Sequence, residues 1–228
     1  MDKHVSLTAA DSFKLGGYRA DPQNLSKDGK AKGAIVVIQE IFGVNSHIRN
    51  VCDRFAKEGY VAIAPALFDR QHKDFQSGYS PEEVTEARKF IANPDWDAML
   101  RDTQAAIDEV KSAGPVGVVG YCMGGSVAFL AATRLSALKA AVGYYGGAIA
   151  RNADEKPKCQ VQLHFGAKDQ GIPLSDVEII KQKRPEIEVF IYDDAGHGFS
   201  CDERGAYHKP SADIAWKRTM EFLAKHLK

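Results

Sequence analysis

The 228-residue sequence predicts an α/β fold, in which a mostly parallel central sheet carries helices on both faces. Short apolar runs alternate with amphipathic helical patterns along the chain, as expected of parallel strands joined by helical crossovers. Residues 34–39, AIVVIQ, are apolar almost throughout, which is typical of a strand buried on both faces. At residues 117–125 a strand-like run meets a helical pattern through a turn flanked by glycines.

The elements before and just after this first buried strand follow from local patterns. Residues 5–7 and 12–19, which Ala-Asp separates, predict an antiparallel hairpin at one edge of the sheet. A helix is expected from about Ser46, with Gly59 placed to end it, and residues 61–66 form the next strand. The buried face of that helix is expected to consist of Ile48, Val51, Cys52, Phe55 and Ala56.

The rest of the chain continues the alternation. Pro94 is expected in the first turn of a helix with Asn93 as its N-cap, and Asp95 and Asp97 favour the positive end of the helix dipole. Gly114 is expected to close this helix. The remaining strands are predicted at 116–121, 140–145, 161–165 and 187–192, and the remaining helices at 124–134 and from about Pro210.

Composition and charge exclude several classes of function. Lys plus Arg and Asp plus Glu number 30 each, so no basic excess indicates a nucleic-acid or membrane partner. No signal-like or membrane-spanning apolar run occurs, and the four cysteines form no C-x-x-C pair. We expect a single domain over residues 1–228 that works in the reducing cytoplasm as a monomer or small homo-oligomer. The histidines have no metal-ligand spacing, so neither a metal nor a cofactor is expected.

The strand-to-helix turn at Gly120-Tyr121-Cys122-Met123-Gly124 has the spacing of a nucleophile elbow, with sulfur in place of the usual serine oxygen. Such a sharp turn strains the backbone of the nucleophile and crowds the positions two residues away, which glycine relieves. The helix N-terminus also favours a thiolate. The turn therefore predicts an α/β-hydrolase fold with Cys122 as nucleophile. The alternatives are an inert core cysteine and a phosphate-binding loop, but the glycine order does not fit the loop.

The acid and the base of a triad should follow the nucleophile in that order. Asp169 follows a predicted strand in a G-x-x-D sequence, and His197 lies in a glycine-rich loop after the last strand. Both should reach the carboxyl edge of the sheet, where His197 would accept a proton and Asp169 would orient its ring. Competing candidates are His164, which is expected to be a hydrogen-bonded core residue, and Asp193 or Asp194, which precede His197 too closely.

Glu40 ends the central apolar strand, and a carboxylate there is unusual without a function or a partner. One interpretation places Glu40 beside Cys122, where it exchanges a proton with the thiol, and the other pairs it with an arginine. The backbone N–H groups of Ile41 and Met123 are expected to form an oxyanion hole.

Four motifs together resemble the dienelactone hydrolase family over essentially the whole sequence. They are Q-E-I-F-G at 39–43, G-Y-C-M-G-G at 120–125, G-x-x-D at 166–169 and G-H-G-F at 196–199. The resemblance implies that Cys122, His197 and Asp169 are nucleophile, base and acid, and that Glu40 holds the resting thiol until substrate binds. It also implies a reaction like that for which the family is named, the opening of 4-carboxymethylenebutenolide to maleylacetate.

Substrate-binding residues follow less directly. The resemblance implies arginines that bind a substrate carboxylate, and Arg204 and Arg88 are the candidates, although a surface position is the commoner fate of arginine. Tyr145 ends a strand at the same edge and either lines the pocket or packs in the core. The sequence thus predicts a cysteine hydrolase that opens a small lactone or ester through a thioester. The alternatives are a broader carboxylesterase or thioesterase, and a non-enzymatic thiol sensor on the same scaffold.

Overall fold

Eight strands and six α-helices make up the regular structure of the computed structural model, which describes residues 3–23, 25 and 29–228. The strands are β1 His4–Thr8, β2 Lys14–Ala20, β3 Ala34–Ile38, β4 Val61–Pro65, β5 Val116–Tyr121, β6 Leu138–Tyr144, β7 Gln160–Gly166 and β8 Glu188–Tyr192. The helices are α1 Ser46–Lys57, α2 Pro81–Lys89, α3 Trp96–Val110, α4 Met123–Arg134, α5 Leu174–Lys183 and α6 Lys209–His226. In this part of the chain no helix is long and apolar enough to cross a membrane.

All eight strands join one sheet in the order β1-β2-β4-β3-β5-β6-β7-β8. The six strands from β3 to β8 run parallel, and the β1–β2 hairpin adds two antiparallel strands at one edge. The predicted edge hairpin is therefore confirmed. Strands β3, β4 and β5 are buried at every residue, as their continuous apolar runs predict.

Helices cover both faces of this sheet. A side chain at Gly117 of β5 would meet Leu223 of α6, whereas one at Gly120, three residues on, would meet Gly124 of α4. Because residues three apart on a strand point to opposite faces, α4 and α6 lie on opposite sides of the sheet. Helix α1 lies on the α6 side, where the rings of Phe55 and Trp216 are 4.8 Å apart.

One helical prediction needs correction, and two further helices had no predicted bounds. The helix predicted to begin at Pro94 with Asn93 as its cap begins at Trp96, because the Asp95 side chain accepts the hydrogen bond from the Ala98 N–H group. Helices α2 and α5 lie where no clear apolar stripe of helical spacing occurs in the sequence. Their buried faces are narrow: Ala87 alone in α2, and Val177 and Ile180 in α5.

The order of the strands creates a crevice at the carboxyl edge of the sheet. From β3 the chain crosses to β4 on one side, and it then returns to place β5 on the other side. Ligands of open α/β sheets bind where the strand order reverses in this way. The residues that follow β3 and β5, Glu40 and Cys122 among them, therefore border the expected binding crevice.

Candidate active site

Cys122 lies alone between the end of β5 and the start of α4, with φ at 54° and ψ at −118°. Few residues other than glycine adopt a positive φ, so the turn holds Cys122 under backbone strain. A Cβ atom at Gly120 would lie 1.8 Å from the Gly124 carbonyl oxygen, and one at Gly124 would lie 2.4 Å from that of Ile38. The flanking glycines are thus required because of close backbone contacts, and not because their side chains would meet each other.

The structure brings Cys122, His197 and Asp169 together. His197 Nε2 is 3.1 Å from Cys122 Sγ, and His197 Nδ1 is 2.8 Å from Asp169 Oδ2. Since an ionised carboxylate only accepts hydrogen bonds, Nδ1 carries a proton and donates it to Asp169. The other oxygen of Asp169 accepts hydrogen bonds from the N–H groups of Gly171 and Ile172. These bonds fix the carboxylate, which in turn fixes the imidazole ring.

The interactions of His197 with Asp169 and Cys122 favour a protonated imidazole. Burial lowers the pKa of His197, but the hydrogen bonds with Asp169 and Cys122 and their negative charges outweigh burial and raise it to about 10. A proton is therefore held on the imidazole beside the sulfur.

The competing acids and histidine lie elsewhere. His164 is fully buried in β7, where its ring nitrogens meet the Tyr192 hydroxyl at 2.8 Å and Gln162 Oε1 at 3.0 Å. Burial lowers the pKa of His164 to about 3, so it stays neutral in the core, as the sequence predicts. Asp194 is exposed and pairs with Lys168, and Asp193 is also exposed.

Glu40 forms an ion pair that was one of the two expectations for it. Its side chain is 1% exposed, and Oε1 accepts a hydrogen bond of 3.0 Å from Arg204 Nη1. The contact between Glu40 and the Cys122 thiol, which was the other expectation, is not made here because Arg204 binds the carboxylate and His197 binds the sulfur. The guanidinium also lies over the rings of Phe42 and Tyr79, at 5.4 and 5.7 Å from their centres.

A cavity of about 650 Å³ opens above Cys122. Ile41 and Met123 both line it, and their backbone N–H groups have no hydrogen-bond acceptor among the described residues. The three triad residues also line the cavity, together with apolar side chains and four cations. The apolar residues include Phe42, Val84, Ile91, Pro94, Trp96 and Ile172, and the cations are Arg88, Arg151, Lys168 and Arg204.

Two of the three predicted substrate-binding residues lie at the cavity, and the third does not. Arg204 and Arg88 both line the cavity, Arg88 from α2. Tyr145 does not: it is fully buried, its hydroxyl bonds Ser200 Oγ, and its ring packs against His197 with centres 5.1 Å apart. Tyr145 therefore packs in the core against the imidazole and does not line the cavity.

Trp96 and Arg151 are among the cavity residues that sequence reasoning missed. Trp96 begins α3 and Arg151 lies between β6 and β7, and the guanidinium of Arg151 lies 5.8 Å from the centre of the Trp96 ring. A sequence signal was present for Trp96, because it is a large aromatic residue directly after a helix N-cap, at the start of a helix. None was present for Arg151, whose placement depends on the fold.

The geometry and the motifs agree with what comparison with known proteins finds. The model of the dienelactone hydrolase family matches residues 15–227. The chain belongs to the dienelactone hydrolase family. Membership confirms the predicted α/β-hydrolase fold and the prediction of an enzyme that hydrolyses ester bonds.

Individual members are similar over nearly the whole chain. A Synechocystis sp. protein named "Putative carboxymethylenebutenolidase" is 38% identical, over 95% of this chain and 94% of its own. The carboxymethylenebutenolidase of Pseudomonas putida is 32% identical, over 96% and 95%. Among solved structures, a "Putative Dienelactone Hydrolase" from Klebsiella pneumoniae has a TM-score of 0.84 at 29% identity, covering 98% of this chain and 100% of that one.

Proposed function

We propose that this dienelactone hydrolase family member opens a small lactone or ester through a thioester on Cys122. The observation that carries the proposal is the continuous contact from Cys122 Sγ to His197 and on to Asp169 at the floor of the cavity. A thiol sensor needs neither the base nor the acid, so the sensor alternative leaves this arrangement unexplained.

The first half of the reaction forms the thioester. The Cys122 thiolate attacks the carbonyl carbon, and the negative charge moves to the carbonyl oxygen. The free N–H groups of Ile41 and Met123 are the donors that stabilise this oxyanion. When the C–O bond breaks, the proton held on His197 Nε2 passes to the leaving oxygen. In a lactone that oxygen stays attached to the acyl chain.

The second half returns the enzyme to its starting state. Neutral His197 takes a proton from a water molecule, which attacks the thioester carbonyl. The thiolate leaves, and the product departs as a carboxylic acid. Throughout, Asp169 keeps the Nδ1 proton in place and stabilises the imidazolium.

The charges around the cavity support an anionic substrate, as the Pseudomonas putida relative's name also suggests. Arg88 has no ion-pair partner among the described residues, and Arg204 uses only Nη1 for Glu40. Either guanidinium could therefore bind a carboxylate, which planar N–H pairs match well. We propose that Glu40 exchanges between the Cys122 thiol, which it holds in the resting enzyme, and Arg204, with which it pairs when substrate binds, so that the thiolate is released for attack.

The size of the cavity favours the second candidate, a broader carboxylesterase or thioesterase. About 650 Å³ lies within the range of cavities that take drug-sized ligands, and the wall formed by Val84, Ile91 and Trp96 is apolar. An ester with an apolar group beyond the carboxylate would fill this volume better than a bare lactone. A cytoplasmic location and a monomer or small homo-oligomer remain predictions.

Hydrolysis of a dienelactone and of a neutral aryl ester, by the wild type and by Cys122→Ala, separates these candidates. Strong preference for the lactone with loss of both activities in Cys122→Ala supports the dienelactone assignment. Turnover of the aryl ester alone, again lost in the variant, supports the broader esterase. Full activity of Cys122→Ala on both substrates would refute the thioester mechanism.

A further inference from the structure

Behind the cavity floor, three buried side chains with metal-ligating atoms converge. They are Glu40 after β3, His47 in the first turn of α1 and Cys201 in the loop after His197. One ligating atom from each side chain lies within 4.8 Å of the other two. Glu40 Oε2 and His47 Nε2 are buried and have no hydrogen-bond partner among the described residues. Since buried polar atoms are normally paired, these two require an explanation.

The second polar atoms of Glu40 and His47 are each held by a neighbour: Glu40 Oε1 accepts from Arg204 at 3.0 Å, and His47 Nδ1 is 3.4 Å from Asp202 Oδ1. Cys201 Sγ, the ligating atom itself, donates to the Tyr79 hydroxyl at 3.3 Å, a bond that metal binding would replace. Metal sites have this organisation, because outer partners orient the ligands: a histidine bonds a carboxylate through its second nitrogen, and a ligating carboxylate is itself hydrogen-bonded.

We propose that Glu40, His47 and Cys201 form a binding site for a borderline divalent cation of the Zn²⁺ type. Carboxylate oxygen, imidazole nitrogen and thiolate sulfur are all ligands that Zn²⁺ accepts in a tetrahedral site. From positions within 4.8 Å of one another, the three atoms would have to close around the ion to the metal–ligand distances of roughly 2.0–2.3 Å that zinc requires.

The charges of such a site balance. Cys201 releases its thiol proton to solvent as the sulfur–metal bond forms, so the thiolate and the Glu40 carboxylate together neutralise a divalent cation. The outer partners Arg204 and Asp202 carry opposite charges and cancel. Arg204 binds Oε1 only, which leaves Oε2 for the metal.

This site could not be predicted from the sequence, because its ligands lie at positions 40, 47 and 201, which have no metal-binding spacing. The expectation of no metal, which rested on histidine spacing, concerned local motifs only. The site shares Glu40 with the proposed mechanism but contains neither Cys122 nor His197, so its occupancy can be measured without any assay of hydrolysis.

Zn²⁺ binding to the full chain carrying Cys122→Ser, measured by calorimetry, tests the proposal. The serine removes the competing thiolate in the cavity. We expect one zinc ion per chain, with an affinity that rises with pH because binding releases the Cys201 proton. Adding His47→Asn or Cys201→Ser should lower the affinity by more than about 100-fold, since loss of an outer partner alone costs about 10–100-fold. His47→Asn keeps a donor for Asp202.

Cys159→Ser, at a half-buried thiol elsewhere, is the matched control and should leave zinc binding unchanged. Circular dichroism of each variant shows whether it is folded. Co²⁺ gives a second readout, since a thiolate ligand produces a near-ultraviolet charge-transfer band that Cys201→Ser should abolish. The proposal is overturned if the Cys122→Ser chain binds no zinc, or if folded His47→Asn and Cys201→Ser chains bind it as tightly as their parent.

Discussion

Asp169 orients His197 because both of its oxygens are bound, one by the imidazole and the other by two backbone N–H groups. Asp169→Asn keeps the size of the side chain but lets an amide N–H group face Nδ1, which favours the wrong tautomer of His197. We expect kcat for ester hydrolysis to fall by about 1,000-fold or more. Asp194→Asn, at the exposed carboxylate beside Lys168, is the control and should retain full activity. Near-normal turnover by Asp169→Asn would exclude Asp169 as the acid.

The Glu40–Arg204 pair is a second feature of individual residues with a measurable consequence. Arg204→Met leaves a buried carboxylate without its cation, which should reduce the free energy of unfolding by about 3 kcal/mol. Adding Glu40→Gln removes the unpaired charge, so the double variant should recover most of this loss. Urea unfolding of both variants measures the effect. Equal stability of Arg204→Met and the wild type would show that the pair contributes nothing.

At the scale of elements, the turn between β5 and α4 depends on two glycines more than on any side chain. Gly120→Ala would place its Cβ atom against the Gly124 carbonyl, so the strand and helix must separate. We expect a loss of several kcal/mol of stability and of most activity in chains that still fold. Gly205→Ala, where a Cβ atom meets nothing within 4 Å, is the control, and both can be compared by thermal unfolding. A wild-type melting temperature for Gly120→Ala would contradict the strained turn.

Elements with strong patterns could be predicted from the sequence, and those with weak patterns could not. Strand β5 was predicted at its observed bounds because both of its faces are buried, so its apolar run has sharp ends. Helix α2 buries only Ala87 and therefore has almost no apolar periodicity. The start of α3 was misplaced because Asn93 and Asp95 are both good caps, and only the fold selects Asp95.

The same distinction applies to the candidate site. The three triad residues lie next to strand ends, so the parallel sheet alone predicts that they meet. Tyr145 packs against His197 and Ser200, which are 52 and 55 residues away in the sequence, so no local pattern reveals that it lies outside the cavity. The partner of Glu40 is 164 residues away, so only the folded chain shows that Arg204 and not Cys122 binds it.

At the scale of the whole molecule, burial of His164 makes stability depend on pH. Burial, helped by the charge of Arg218, lowers the pKa of His164 from its ordinary 6.5 to about 3. The unfolded chain therefore binds a proton that the folded chain excludes, and stability falls as pH drops from about 6.5 towards 3. His164→Gln should flatten this slope in urea unfolding at several pH values, whatever its effect at pH 7. His72→Gln, at an exposed histidine, should not. An unchanged slope in His164→Gln would contradict a neutral buried imidazole.

The covalent role of Cys122 is the central claim, and trapping the acyl-enzyme tests it most directly. We would mix the enzyme with an aryl ester, quench in acid within the first turnover and locate the added mass by peptide mass spectrometry. We predict an acyl group on the peptide containing Cys122, with none on Cys159, and no adduct or turnover in Cys122→Ala. An active Cys122→Ala enzyme, or an acyl group that accumulates on another residue, would contradict the account.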